Sequence, residues 1–209
     1  MLGIATILVA SSLTAVGIPA DVQRRVYSTY PNWAVQQGHS AATAIEAVVE
    51  PDGEIRECRV VAFFGSERLA NEECSRLLRH KLRPAVDVNG QPILGLHRNL
   101  LKRWLSGAEA EAVESWMPEP DLTAELSDLA IQDGGVDVAV VVLVNANGSV
   151  AVCDADPDRN KNIAKSITDA ACAEAAERVM PVLQDKNGQA SDYVANMTVR
   201  LEAVSSAST

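Results

Sequence analysis

Phenylalanine, tyrosine and tryptophan together make up 4% of the 209 residues, so any core must be packed from Ala, Val, Leu and Ile. Positive charge is also short. Lys and Arg number 18 against 28 Asp and Glu, a formal net charge of −10, which excludes the basic face that nucleic acid requires. No Cys-x-x-Cys pair occurs and no histidine stands near a cysteine at ligand spacing, which argues against structural zinc and against a redox dithiol. The 3 histidines, His39, His80 and His97, are scattered, and each is expected at the surface or in a loop rather than as a ligand or base. Gly-rich phosphate loops and nucleophile elbows are missing as well. No catalytic residue, cofactor or metal is expected, and the abundant acidic residues are expected on solvated helix faces.

Charge is absent from residues 1–20, "MLGIATILVASSLTAVGIPA". A run of about 18–20 apolar or small residues lies between the core of an export signal and a spanning helix. Ala20 before Asp21 suits a cleavage site. A buried helix of a globular domain is the plainer reading, set aside because no polar face interrupts the run. The expectation is an exported chain, or one anchored to a membrane if residues 1–20 are retained.

What is present is a repeat. Gly53 and Cys58 recur as Gly148 and Cys153 at an offset of 95, while Cys74 and "DVNGQ" (87–91) recur as Cys172 and "DKNGQ" (185–189) at an offset of 98. Three residues inserted in the turn-rich "DADPDRNKN" account for the change of register. Each copy alternates apolar residues at strand period, turns at Pro51-Asp52-Gly53 or Asn147-Gly148, and returns as a second strand. A helix follows, near 69–82 or 162–179, then a loop and a last extended segment, near 93–104 or 193–202. The fold class expected is α+β, two tandem modules each made of a β-hairpin, a covering helix and a further antiparallel strand. The segments are 1–20, a first module 21–105, a linker 106–120 with a short helix at 108–113 ended by Pro118 and Pro120, a second module 121–204, and a tail 205–209. Both faces of the 136–144 strand are apolar, Val141 and Leu143 included, which suits a homodimer joined through its sheets.

Four cysteines allow three pairings. A module that is a unit in itself pairs Cys58 with Cys74 and Cys153 with Cys172, each bond tying the second strand to the helix. Closing a loop of about 15 residues stabilises by about 3 kcal/mol in the chain-entropy account, which matters where aromatic packing is scarce.

The first module resembles the TonB C-terminal domain family over residues 26–105. The resemblance is carried by "YPNWAVQQG" (30–38), "IEAVVEPDGEI" (45–55), "CRVVAFFGSERLANEEC" (58–74) and "LRPAVDVNGQPI" (82–93). Phe63-Phe64-Gly65 and Leu69-Ala70 depart from the family's Ser-Ser-Gly and Leu-Asp. The second module keeps the hairpin, both cysteines and "NGQ" but lacks Tyr-Pro and Pro-Ala. What the resemblance implies is binding by strand addition, in which an extended segment of an outer-membrane transporter pairs with an open sheet edge. The residues so implied are Tyr30 and Pro31 together with Ile93, Leu94, Leu96, Arg98, Leu100 and Lys102 on the last strand. Arg98, Lys102 and Arg103 are the charges that would blunt that edge. Ten residues between Ala20 and Pro31 reach about 35 Å at full extension. That is too short for the periplasm-crossing spacer of the family's energy transducers, so a periplasmic binding protein is expected.

Overall fold

The computed structural model describes residues 12–107, 109–127 and 135–204. The chain is α+β, with one large eight-stranded sheet where two separate modules were expected. The strands are β1 (Ala41–Val49), β2 (Ile55–Gly65), β3 (Ala85–Val86), β4 (Pro92–Arg103), β5 (Leu122–Leu126), β6 (Val136–Val144), β7 (Val150–Ala155), β8 (Leu183–Gln184), β9 (Ala190–Ser191) and β10 (Tyr193–Ala203). The helices are α1 (Ala20–Tyr27), α2 (Asn32–Gln37), α3 (Glu67–Leu77), α4 (Ala110–Ser115) and α5 (Lys165–Ala176). The main sheet runs β2-β1-β4-β10-β6-β7, with β3 added to β4 and β5 to β10.

Along β2-β1-β4 and along β10-β6-β7 neighbouring strands are antiparallel, β5 adds to β10 in parallel, and the halves meet through β4 and β10, which are parallel at Leu94–Tyr193, Gly95–Val194 and Leu96–Ala195. The two hairpin turns are built alike. Gly53 and Gly148 sit at φ +84° and +87°, where a Cβ would come within 2.2 Å of the Leu82 carbonyl oxygen and 2.5 Å of the Met180 one. The Leu82 and Met180 N–H groups donate back to the Gly53 and Gly148 carbonyls at 2.9 and 2.8 Å. Only glycine permits both the left-handed turn and this approach, so each turn is pinned to the loop that follows its helix.

Ser66 starts α3, its side-chain oxygen accepting from the Leu69 N–H. Leu69, Ala70, Glu73, Cys74 and Leu77 then recur at helical spacing and turn inward. They cover the sheet face that carries Ile45, Ala47 and Val49. The α5 helix instead presents Ala171 and Ala175 to Val138, Val140, Val142 and Val144. Side chains alternate across a strand, and Val141 and Val194 belong to the α3 side while Val140, Tyr193 and Ala195 belong to the α5 side. The two helices therefore lie on opposite faces of one sheet. Parallel central strands and opposed helices are the arrangement produced by a half-turn about an axis along the strands.

Cys58 is bonded to Cys74 and Cys153 to Cys172, with Cα separations of 5.4 and 5.5 Å. Each bond ties the second strand of a hairpin to its covering helix, as expected. Both fit an oxidising compartment. Among the described residues no helix is long and apolar enough to cross a membrane.

The start of the chain departs from expectation. Residues 1–11 of the expected signal or anchor lie outside the described residues. Residues 12–19 are extended and packed into the fold. Thr14 exchanges backbone hydrogen bonds with Val86, and Gly17 with Arg83, at 2.8–3.1 Å. Leu13 and Val16 are buried in the same apolar cluster as Val141 and Val194, on which Leu143 and Val152 pack. The apolar outer side of β6, expected to join two copies, is thus covered within the chain. The physical reason is plain in sequence terms: an apolar run needs apolar cover, and its partner is a β6 side chain row more than a hundred residues away.

Two burial expectations are corrected. His97 is 7% exposed rather than at the surface, and neither ring nitrogen has a hydrogen-bond partner among the described residues. Burial pushes its pKa down to about 4. Glu73 is 1% exposed rather than solvated. Arg103 Nε donates to Glu73 Oε1, and its Nη2 to Oε2 at 3.1 Å. Arg103 also donates to the Val26 and Thr29 carbonyls, which ties α1 to the sheet. Position 103 falls on the α3 side, so Arg103 is an interior tie and not an edge charge.

Candidate binding edge and cleft

β4 is the strand on which the expected edge residues lie, and the structure divides them. Ile93 is paired with Ala85 of β3. Leu94 and Leu96 are buried where β10 pairs with β4. That part of the edge is closed within the chain. Tyr30 and Pro31 are not on the edge. They open α2, with the Tyr30 hydroxyl donating to the His39 carbonyl and the Tyr30 ring packed on the Ala34, Ala41 and Leu69 cluster.

Past Leu96 the two central strands part. The Asn196 side chain stands at the fork, where its Oδ1 accepts from the Arg98 N–H at 2.9 Å and its Nδ2 donates to the Arg98 carbonyl at 2.8 Å. An amide side chain thus takes the place of one more ladder step. β10 then turns its edge to β5, which runs parallel to it from Val199–Leu122 to Ala203–Leu126. Asp121 seals the junction, its N–H donating to the Thr198 carbonyl and its Oδ2 accepting from the Thr198 N–H.

β4 is left with a short open stretch. In an antiparallel pair alternate residues direct both backbone groups to the partner strand. The Arg98 groups point away from β1, toward Asn196, so those of Leu100 and Lys102 point the same way. No described residue pairs with them. A hollow of about 460 Å³ runs beside this stretch, lined by Ile18, Gln23 and residues 99–103. Lys102 folds its ammonium onto the Glu114 carbonyl of α4 rather than across the edge.

On the face away from α3 lies a cleft of about 400 Å³, lined among others by Glu46, Arg59, Val61, Arg98, Leu100 and Met117. Glu46 is buried to 8% exposure and bridges two arginines: Arg59 Nε donates at 2.9 Å to Oε1 and Arg98 Nε at 2.9 Å to Oε2. Arg98 Nη1 stands 3.3 Å from Asp121 Oδ1 as an ion pair, at an angle that makes no hydrogen bond. One carboxylate shared by two guanidiniums leaves donors to spare on both.

Glu46, Arg59 and Asn196 were not among the expected site residues. Asn196 had a visible marker, since it stands 98 residues after Arg98, the offset of the repeat. Neither a family model nor a curated protein nor a solved structure matches the chain.

Proposed function

We propose that this chain is an exported, non-catalytic protein-binding protein of the bacterial envelope, built from two TonB-like modules, that takes an extended protein segment by strand addition. The observation that carries the reading is the stretch of β4 at Leu100 and Lys102 that no described residue pairs, with open space alongside. An incoming strand satisfies backbone groups that otherwise rely on water, and neighbouring side chains give selectivity. The edge is short because β10 already takes Leu94–Leu96. The segment bound therefore makes few main-chain bonds, and its affinity depends on side-chain contacts. A periplasm-facing segment of an outer-membrane transporter is the partner class the family likeness of residues 26–105 points to.

Proline tests this directly. The Leu100 N–H is not used by β1, so Leu100→Pro removes an edge donor while sparing the β1–β4 ladder. Titration of a panel of extended receptor peptides is expected to give binding to the parent chain, and none to Leu100→Pro or Lys102→Pro at an unchanged melting temperature. Equal binding by parent and both variants, or no binding by any peptide, removes the reading.

A further inference from the structure

Most charges that line the cleft are already engaged. Glu46 is held by Arg59 and Arg98, Asp121 by Arg98 and the Thr198 N–H, and Asp137 by two 2.7 Å hydrogen bonds from Arg200. Two exposed charges of opposite sign remain on the rim. Arg159 and Glu119 both line the cleft, and neither has an ion-pair partner among the described residues. Arg59, on β2, keeps a spare donor elsewhere in the lining, because its Nη1 donates to no described residue while Nε and Nη2 go to Glu46. The lining also holds uncovered apolar side chains: Val61 is 47% and Met117 57% exposed, and Leu100, Pro118 and Pro120 line the same cleft.

We propose that the cleft binds a zwitterion with an apolar body, the chemistry shared by a free apolar amino acid and a short apolar peptide held by its two ends. Arg159 takes the carboxylate. Glu119 takes the ammonium, and the body lies on Val61, Leu100 and Met117. A space of about 400 Å³ accommodates one or two residues. This site lies on the sheet face and uses the ends of its ligand, so it does not depend on strand addition at the edge.

Calorimetric titration of the full chain with leucyl-leucine, its C-terminal amide, its N-acetyl derivative and free leucine tests the proposal. Leucyl-leucine or leucine is expected to bind, and the tighter of the two identifies the source. Amidation and acetylation each weaken binding about two- to fivefold, the range of an exposed ion pair. Arg159→Gln no longer distinguishes the amide, and Glu119→Gln no longer distinguishes the acetylated form. Both residues are exposed, so neither change threatens the fold. Absence of binding by every probe at about 10 mM overturns the proposal. So does equal binding of all forms by the parent, or discrimination that survives in the variants.

Discussion

His97 is held neutral in an interior where neither nitrogen finds a partner among the described residues. The unfolded chain takes up a proton near the ordinary value of 6.5, while the folded chain resists until about 4. Protons therefore favour unfolding, and the stability present above pH 6.5 is lost as pH falls toward 4. At pH 4.5 the loss from this residue is about 2 to 3 kcal/mol. Urea unfolding at pH 7.5 and 4.5 is expected to show that extra loss in the parent, and His97→Leu is expected to lack it. An unchanged acid loss in the variant contradicts the assignment. The cysteine pairing was legible in the sequence because the repeat selected one of three connectivities. The burial of His97 and Glu73 was not. Both sit in polar surroundings in sequence, "LHRN" and "NEEC", and only tertiary packing places them inside. Arg103, which offsets the Glu73 charge, is 30 residues away.

At the scale of elements, helices and hairpins could be read from period and turn chemistry. The expected helices at 69–82 and 162–179 form at Glu67–Leu77 and Lys165–Ala176, and the linker helix at Ala110–Ser115. Short pieces without a period of their own were not legible: α1, α2, β5, and the extended run 12–19. The last is held by a close approach. A Cβ on Gly95 would fall 2.3 Å from Val16 Cγ2. Gly95→Val is therefore expected to push residues 12–18 off the sheet and uncover Val141, Leu143 and Val194. The checks are increased binding of a hydrophobic dye and faster proteolysis within 12–18, and an unaltered digestion pattern contradicts the packing described. Removal of residues 1–20 is expected to uncover the same surface.

For the whole molecule, the repeat explains both the symmetry and its breakdown. The halves share one strand order and bring like strands together at the centre, yet their uncovered faces differ in chemistry. At the repeat's offsets, Val141 stands for Glu46, Asp154 for Arg59 and Asn196 for Arg98. The face with valine is covered by residues 12–18, with the Leu13 N–H donating to Asp154. The face with Glu46 and its arginines stays in water and forms the cleft. Duplicated segments were visible in the sequence. That strands from both halves of the chain join one sheet was not, because edge-to-edge pairing relies on backbone groups that every residue carries. Among the described residues, Leu100 and Lys102 are the open part of β4. Amide hydrogen exchange of the full chain, read residue by residue with and without a bound receptor peptide, tests the point most directly. Fast exchange is expected at Leu100 and Lys102 in the free protein, beside protected neighbours at Asn99 and Leu101, and protection of both once peptide is bound. Slow exchange at Leu100 and Lys102 in the free chain, or peptide binding that leaves them unprotected, contradicts it.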